Sequence, residues 1–261
     1  LPGVTRRGQP GHGEKSAVVG EVTSLPRKIK RSSKQENGAH WELQLFEESI
    51  DGLRTYLSLV NSLQDMKVLA VASAISREGK TSLAAQLAIS MATSTGEPTL
   101  LIDGDLRSPD IHRIFGIDRG QGVVEVLKNG VPVEDAIDDS FSDQLHLLPA
   151  GRCESSPHRM VGNGKFAAII KKLREKYRHI IIDTPPILAA SEALVMARAA
   201  DAAILCVRRD FSRVDQVQDA YSRLQGAGVN PAGAVLNGVP SRSYAYRYGS
   251  YYFEQHTEGA D

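Results

Sequence analysis

Ala74-Ile75-Ser76-Arg77-Glu78-Gly79-Lys80-Thr81-Ser82 is a small-residue loop set between two patterned segments. The apolar run Val68 to Ala72 precedes it, and a helical pattern from Leu83 to Met91 follows it. A strand, such a loop and a helix in this order aim backbone N–H groups and a helix N-terminus at one anion. The Lys80 charge suits outer phosphates and the Thr81 hydroxyl suits Mg²⁺. The stretch therefore predicts a phosphate-binding loop, with a polar turn before a core helix as the alternative.

Strand and helix signals alternate along the rest of the chain. Several apolar runs, such as 99–102 and 180–182, are typical of strands buried on both faces of a parallel sheet. The alternation predicts an α/β fold, a doubly wound and mostly parallel sheet flanked by helices, with ligands at the carboxyl ends of its strands. Strands are predicted at 67–73, 98–103, 145–149, 179–183, 202–207 and 232–236. Helices are predicted at 40–64, 80–95, 122–129, 165–177, 190–199 and 213–226.

The composition narrows the classes of partner and compartment. The formal net charge is zero, so nothing global indicates nucleic acid as a partner. Cys153 and Cys206 form neither a disulfide framework nor a metal motif, which fits a reducing cytosol. No apolar run reaches the roughly 18 residues of a membrane span, and no signal peptide is visible. The first residue is Leu1, so we expect a piece of a longer chain.

The first forty residues are basic and rich in Gly, Pro and Ser. They contain eight Lys and Arg residues against three Glu, without an apolar period. We predict that residues 1–40 are a flexible segment. One interpretation is a solvated linker, and the other is a juxtamembrane stretch attracted to anionic lipid.

Carboxylates end two of the predicted buried strands. Asp103, Asp105 and Arg107 follow one apolar run, and Asp183 with two prolines follows another. Mg²⁺ prefers oxygen ligands, and phosphoryl transfer needs a group that orients or deprotonates the attacking hydroxyl. A single aspartate of this kind is often only a turn former. Three of them beside a phosphate loop predict a nucleotide site.

Together the three motifs resemble a known family. The phosphate loop A-x-x-x-x-G-K-T, an apolar strand with D-x-D-x-R, and an apolar strand with D-x-P-P are similar to the bacterial tyrosine kinases of capsule and exopolysaccharide production. The resemblance covers about residues 41–252 and implies a P-loop fold of the deviant type, shared with partitioning ATPases. Those ATPases usually carry a signature Lys early in the loop, where this chain has Ile75.

The resemblance implies roles for individual residues. ATP and Mg²⁺ would be the cofactors, with Lys80 on the β- and γ-phosphates and Asp103 orienting or deprotonating the acceptor tyrosine. Asp105 and Arg107 would assist, and Asn237 would read the adenine base unless it is only a turn residue. The metal ligands would be Thr81, Asp105 and Asp183. The nucleotide-binding set would be Ala74, Ser76, Arg77, Glu78, Gly79, Lys80, Thr81, Ser82 and Asn237.

A tyrosine cluster lies near the C-terminus. The chain has eight tyrosines in all, and five of them stand close together at Tyr244, Tyr246, Tyr248, Tyr251 and Tyr252. Alone, the cluster could be an aromatic strand or an interaction tail. With the resemblance, it implies phosphoacceptors modified in trans. We therefore divide the chain into the segment 1–40, a kinase domain at 41–240 and a tail at 241–261.

Two positions depart from the family pattern. The first helix of the family carries E-x-x-R-x-x-R, used in ring assembly, but here Asp51 stands between Glu48 and Arg54 in place of an Arg. Arg77 stands where the family usually has Gly, and a non-glycine residue resists left-handed backbone angles. These changes put ring formation and full catalytic activity in question.

The function expected from the resemblance is an ATP-dependent protein-tyrosine autokinase that regulates polysaccharide polymerisation and export. Its implied partners are a membrane co-polymerase, separate or fused upstream, a second copy of the chain in a ring, and a protein-tyrosine phosphatase. Its implied location is the cytoplasm, peripheral to or tethered at the inner face of the cell membrane. The alternatives are a partitioning-type ATPase switch and a nucleotide-binding scaffold without transfer.

Overall fold

The computed structural model describes residues 18–24, 33–59, 65–154 and 156–248. One sheet of seven strands runs through these residues, and every strand pair in it is parallel. The strands are β1 (Val18–Thr23), β2 (Val68–Ser73), β3 (Thr99–Asp103), β4 (Leu145–Leu148), β5 (His179–Asp183), β6 (Ala202–Arg208) and β7 (Pro231–Val239). Their order across the sheet is β1-β7-β6-β2-β5-β3-β4. The predicted doubly wound parallel sheet is confirmed.

Helices cover both faces of the sheet. They are α1 (Ser33–Leu59), α2 (Lys80–Thr95), α3 (Ile111–Phe115), α4 (Val123–Asn129), α5 (Pro157–Val161), α6 (Lys165–Lys176), α7 (Glu192–Arg198), α8 (Val214–Gly226) and α9 (Ser241–Tyr248). A short 3₁₀ helix, Val133–Ala136, follows α4. None of the helices in the described ranges is both long and apolar enough to cross a membrane.

The core is split by the sheet because successive strand residues face opposite sides. On β2, Leu69 and Val71 pack in the cluster that α1 and α2 cover. Val68 faces the other side, towards α4 and α6, and Ala70 packs in the cluster of α7 and α8. Strands that are buried on both faces explain the nearly continuous apolar runs of the sequence.

The structure corrects the prediction of a flexible segment for the described part of residues 1–40, which is 18–24 and 33–40. Val18–Thr23 forms an edge strand that pairs with β7, and Val19 and Val22 are buried in the core. Gly20 lies against α1, where an added Cβ would stand 2.9 Å from a Leu53 carbon. The strand was missed because it is short and its pairing partner is more than two hundred residues away in sequence. The first helix also begins earlier than predicted, at Ser33 instead of residue 40.

Candidate active site

The phosphate loop connects β2 to α2 and has a fixed backbone shape. Gly79 immediately precedes α2 with a φ of 92°, in the left-handed region that favours glycine. A Cβ at Gly79 would stand 2.0 Å from the Asn237 amide nitrogen, so a larger residue would also clash. Ala74 is buried at the start of the loop, whereas Ser76 and Arg77 are exposed. The loop therefore has the strand–loop–helix geometry predicted for a phosphate site.

The Lys80 side chain lies among three carboxylates from the ends of β3 and β5. Its Nζ is 2.9 Å from Asp105 Oδ2 and 3.7 Å from Asp183 Oδ1, and 3.3 Å from the Thr81 hydroxyl. Asp103 pairs in register with Asp183 on the neighbouring strand. Burial lowers the pKa of Lys80, but the charges of Asp183 and Asp105 outweigh burial and raise that pKa above its ordinary value. Lys80 is thus held as a cation at the carboxyl edge of the sheet.

Two of these aspartates, Asp103 and Asp183, have buried carboxylate oxygens that make no hydrogen bond of good geometry in the part of the chain that the structure describes. Asp103 Oδ2 accepts a hydrogen bond from the Ile111 amide at 3.1 Å, but its Oδ1 has no donor among the described residues. Neither oxygen of Asp183 makes a hydrogen bond of good geometry within the described chain, and the nearby Lys80 ammonium and Thr81 hydroxyl only partly offset its burial. Burial is the main cause that raises the pKa of Asp103 to about 7 and that of Asp183 to about 6. Buried carboxylate oxygens that lack a hydrogen-bond donor are typical of functional sites, where a ligand completes them.

This donor set fits Mg²⁺ held jointly by protein and nucleotide. No group of three His, Cys, Asp or Glu side chains in the described ranges could hold a metal without other ligands. Mg²⁺ in nucleotide sites usually takes one or two carboxylates, with water and phosphate oxygens completing its shell. The unsatisfied oxygens of Asp183 and the Thr81 hydroxyl beside Lys80 supply ligands of that kind.

Arg107 is placed differently from the sequence interpretation. Its Nε lies 2.5 Å from Glu192 Oε1 at the start of α7, and its side chain is half exposed. The structure shows no hydrogen bond from Arg107 to the three aspartates. Burial alone would raise the pKa of Glu192, but the Arg107 hydrogen bond holds it below its ordinary value. Glu192 is a buried residue at the edge of the site, and no motif in the sequence indicated it.

A cavity of about 300 Å³ adjoins the phosphate loop on the side of β7. Asn237 lines it and belongs to β7, so the alternative of a turn residue is wrong. The cavity is also lined by Val22, Ser24, Phe46, Gly79, Ser82, Leu83, Arg208 and Gly238. Several of these wall residues were missed, because nothing in the local sequence shows that β1 and α1 reach this pocket. Arg208 could have been found from the sequence, because it stands at the end of β6 and ligands of parallel sheets bind at strand ends.

The tyrosine tail is partly described. Tyr244 and Tyr246 lie on α9, which packs against α1, and Tyr246 is 88% exposed. Tyr248 ends the same helix, and the structure describes its backbone only. Tyr251 and Tyr252 fall outside the described residues. Because α9 follows β7, it begins four strand positions from Asp103 on β3, about 19 Å across the sheet.

A parallel sheet with a phosphate loop, a buried lysine and strand-end aspartates defines a nucleotide-binding P-loop domain. Residues 66–225 match the family model described as AAA domain. The chain is 34% identical over 205 residues to a putative tyrosine-protein kinase, CapB of Staphylococcus aureus, covering 77% of this chain and 90% of that protein. The chain therefore belongs to the family of bacterial tyrosine-protein kinases.

Solved structures agree with this assignment. The kinase domain of Escherichia coli tyrosine kinase ETK superposes with a TM-score of 0.78 at 26% identity, covering 87% of this chain and 92% of that one. The septum site-determining protein MinD of Pyrococcus horikoshii, complexed with Mg-ADP, shares the fold with a TM-score of 0.58 at 24% identity, covering 69% of this chain and 76% of that one.

Coverage of the relatives is uneven. The chain spans 28% of the Escherichia coli kinase Etk and 27% of the Ralstonia solanacearum protein EpsB. The match to those two proteins therefore concerns about a quarter of their length.

Proposed function

We propose that this protein transfers the γ-phosphate of ATP to the tyrosines of its own C-terminal cluster, in trans between two copies of the chain. The observation that carries this proposal is Asp103, a buried carboxylate with a free oxygen beside the phosphate loop. Burial raises its pKa to about 7, so it can take up a proton near neutral pH. General bases work best when their pKa lies near the operating pH.

The transfer step is an in-line displacement at phosphorus. Asp103 accepts the phenolic proton as the tyrosine oxygen forms a bond to the γ-phosphorus. The bond between that phosphorus and the oxygen bridging to the β-phosphate breaks, and ADP leaves with the electron pair. Lys80 stabilises the charge on the β- and γ-phosphate oxygens, for which its pairing with Asp105 holds it in place.

Mg²⁺ would neutralise charge on the phosphates when it is bound. Thr81, Asp183 and Asp105 would hold it, because their oxygens gather around Lys80 at the foot of the loop. The backbone from Ala74 to Ser82 would enclose the phosphates, and Asn237 would contact the base in the adjoining cavity. Arg107 would contact the acceptor segment at the edge of the site, since Glu192 fixes it there half exposed.

Transfer in trans is supported by the position of α9. Tyr244 and Tyr246 follow β7, while Asp103 ends β3, four strands away. A helix packed on α1 cannot place either hydroxyl at Asp103 of the same chain without leaving its position. When a second copy delivers the tyrosine, the copy whose Asp103 accepts the proton can keep its own α9 in position. A ring of copies would use contacts other than Asp51, which bonds Ser90 within its own chain.

The wider role we propose is regulation of capsule or exopolysaccharide polymerisation and export at the inner face of the membrane. Support comes from relatives, one of which is named as a putative tyrosine-protein kinase in the cps region of Klebsiella pneumoniae. A membrane co-polymerase would be the activating partner, and a protein-tyrosine phosphatase would reset the tail.

The test mixes two variants with γ-labelled ATP and Mg²⁺. One is Lys80→Met with an intact tail, and the other is an active chain in which Tyr244, Tyr246, Tyr248, Tyr251 and Tyr252 are changed to Phe. We expect label on the tail of the Lys80→Met chain, at a rate that rises with the concentration of its partner. Neither variant alone should label its tail. Free phosphate without labelled tyrosine in the wild-type protein would instead identify a partitioning-type ATPase switch.

A further inference from the structure

Glu78 is a buried carboxylate inside the phosphate loop, and its side chain is bonded within the protein. It is 1% exposed, and its Oε2 accepts a hydrogen bond from the Ile75 amide at 2.8 Å. Its backbone carbonyl accepts hydrogen bonds from the Asn237 amide and the Cys206 thiol, each at 3.1 Å. Glu78 therefore shapes the loop from behind, with its Oε2 turned towards the loop backbone.

The other Glu78 oxygen is bound by Ser212, in the turn between β6 and α8. The Ser212 hydroxyl donates to Glu78 Oε1 and accepts a hydrogen bond from the Arg208 amide at 2.8 Å. The turn is held tightly, because the Ser212 amide donates to the Arg208 carbonyl at 2.9 Å and Asp210 has a φ of 56°. Ser212 is thus a fixed donor for a carboxylate 134 residues away in sequence.

The same turn reaches the loop and the cavity wall by other contacts. Arg208 Nη1 donates to the Arg77 carbonyl at 3.0 Å, and the Arg209 amide donates to the Asn237 carbonyl at 2.9 Å. Asn237 in turn donates to Glu78. A closed circuit of hydrogen bonds therefore runs from the loop to the turn, to β7 and back to the loop.

We propose that Ser212 is a positioning residue for phosphate binding, acting through Glu78. The loop needs such support because Arg77, a non-glycine residue, is held at a φ of 69°. Conformations of this kind cost about 1–3 kcal/mol and persist only where neighbours enforce them. Without Ser212, the buried Glu78 carboxylate keeps only the Ile75 amide as a hydrogen-bond donor among the described residues, and its relaxation towards water would displace the loop amides.

The inference deepens the proposed function, since it rests on nucleotide binding at this loop, but it does not depend on tyrosine transfer. A loop-positioning role predicts a selective effect. Ligands with β- and γ-phosphates should lose affinity, whereas AMP, which lacks those phosphates, should be bound through the cavity as before.

The experiment measures equilibrium affinities for ATP, ADP and AMP, with Mg²⁺, by competition against a fluorescent nucleotide. Ser212→Ala should weaken ATP and ADP binding roughly tenfold, as expected for a hydrogen bond to a charged group, and AMP binding less than twofold. Ser212→Thr, which keeps the hydroxyl, should restore ATP affinity to within about twofold of wild type. Ser222→Ala, exposed on α8, is the matched serine control and should bind all three nucleotides unchanged.

Glu78→Gln is a second test variant if Ser212→Ala is unstable. It should likewise weaken ATP and ADP binding more than AMP binding. Unchanged ATP affinity in Ser212→Ala would overturn the proposal. Equal losses for ATP and AMP would also overturn it, because they would indicate general damage to the fold. Wild-type protein that binds ATP but labels no tyrosine would defeat the kinase proposal and leave this one standing.

Discussion

Arg247 Nη1 of α9 lies 2.8 Å from Glu21 Oε1 of β1, so the C-terminal helix is tied to the first strand of the sheet. Ala245 on the same helix is buried, and α9 packs on α1. The pair is partly exposed, and ion pairs of that kind contribute about 0–1 kcal/mol. The contact is therefore weak enough to be released, as a phosphoacceptor segment that visits a neighbouring copy requires.

Removing either partner of this pair should loosen α9. We expect Arg247→Gln or Glu21→Gln to speed amide hydrogen exchange over residues 241–248 about twofold, which corresponds to a few tenths of a kcal/mol. The double variant should exchange no faster than the faster single variant, because the two side chains contribute one shared interaction. Arg242→Gln, an exposed change on the same helix, is the control. If the two substitutions increase the exchange rate additively in the double variant, the Arg247–Glu21 ion pair does not hold α9 in place.

The sequence was sufficient for most of the fold and for the centre of the site. The β2 run with the glycine-lysine-threonine loop, and the apolar runs ending in Asp103 and Asp183, carry local signals that determine strand, turn and strand end. The parallel rule then brings these ends to one edge, so Lys80 meets Asp105 and Asp183 as the fold class requires.

The rest depends on contacts that no local pattern records. Val22 reaches the cavity only because β1 pairs with β7, and Ser212 reaches Glu78 only through the turn after β6. The resemblance implied that Arg107 assists the aspartates, but buried Glu192 from a later helix lies within reach and pairs with it. Long-range partners of single charged side chains are set by tertiary packing and leave no periodic signal.

Asp103→Asn should stabilise the nucleotide-free protein while it removes activity. The folded-state pKa of about 7 is above the ordinary value of 3.8, so folding takes up a proton between these values. The free energy of unfolding should therefore fall as pH rises from about 4 through 7, and the variant should escape this loss. Asparagine still accepts the Ile111 hydrogen bond and carries no charge.

The measurement is urea unfolding at pH 5 and pH 8 without nucleotide. We expect Asp103→Asn to exceed wild type on the order of 2 kcal/mol at pH 8 and by less at pH 5. Tyrosine transfer should drop at least about a hundredfold, as for loss of a general base. Asp219→Asn, exposed on α8, should leave both quantities unchanged. A variant less stable than wild type at pH 8 would argue against an uncompensated charge at Asp103.

Arg77→Gly should stabilise the phosphate loop, in agreement with the resemblance, which implies glycine at this position. Arg77 is exposed and has a φ of 69°, and its carbonyl contact to Arg208 does not need the side chain. We expect a gain of about 0.5–1 kcal/mol in the free energy of unfolding. The neighbouring exposed Ser76 has no positive φ, so Ser76→Gly should lose a similar amount through unfolded-state entropy. Both free energies of unfolding are measured by denaturant titration. If Arg77→Gly and Ser76→Gly shift them in the same direction, the strain argument is refuted.

Asp51, which departs from the family pattern, makes a contact within its own chain. Ser90 on α2 donates a hydrogen bond to Asp51 Oδ1 at 2.5 Å, and Arg54 Nε donates to the Ser90 hydroxyl at 3.1 Å while standing 3.6 Å from Asp51. The three side chains join α1 to α2. An arginine at position 51 would face Arg54 and leave the Ser90 proton without its acceptor.

We therefore expect Asp51→Arg to destabilise the fold by roughly 1–2 kcal/mol, measured by chemical denaturation. Glu48→Arg is the matched control, because it makes the same charge change on an exposed position of the same helix. That control should fall within about 0.5 kcal/mol of wild type, as surface substitutions usually do. Since both variants change the net charge equally, only a difference between them reports the contact with Ser90. Equal stabilities would mean that the Asp51 contact contributes nothing, and the acidic residue would then need an explanation in assembly.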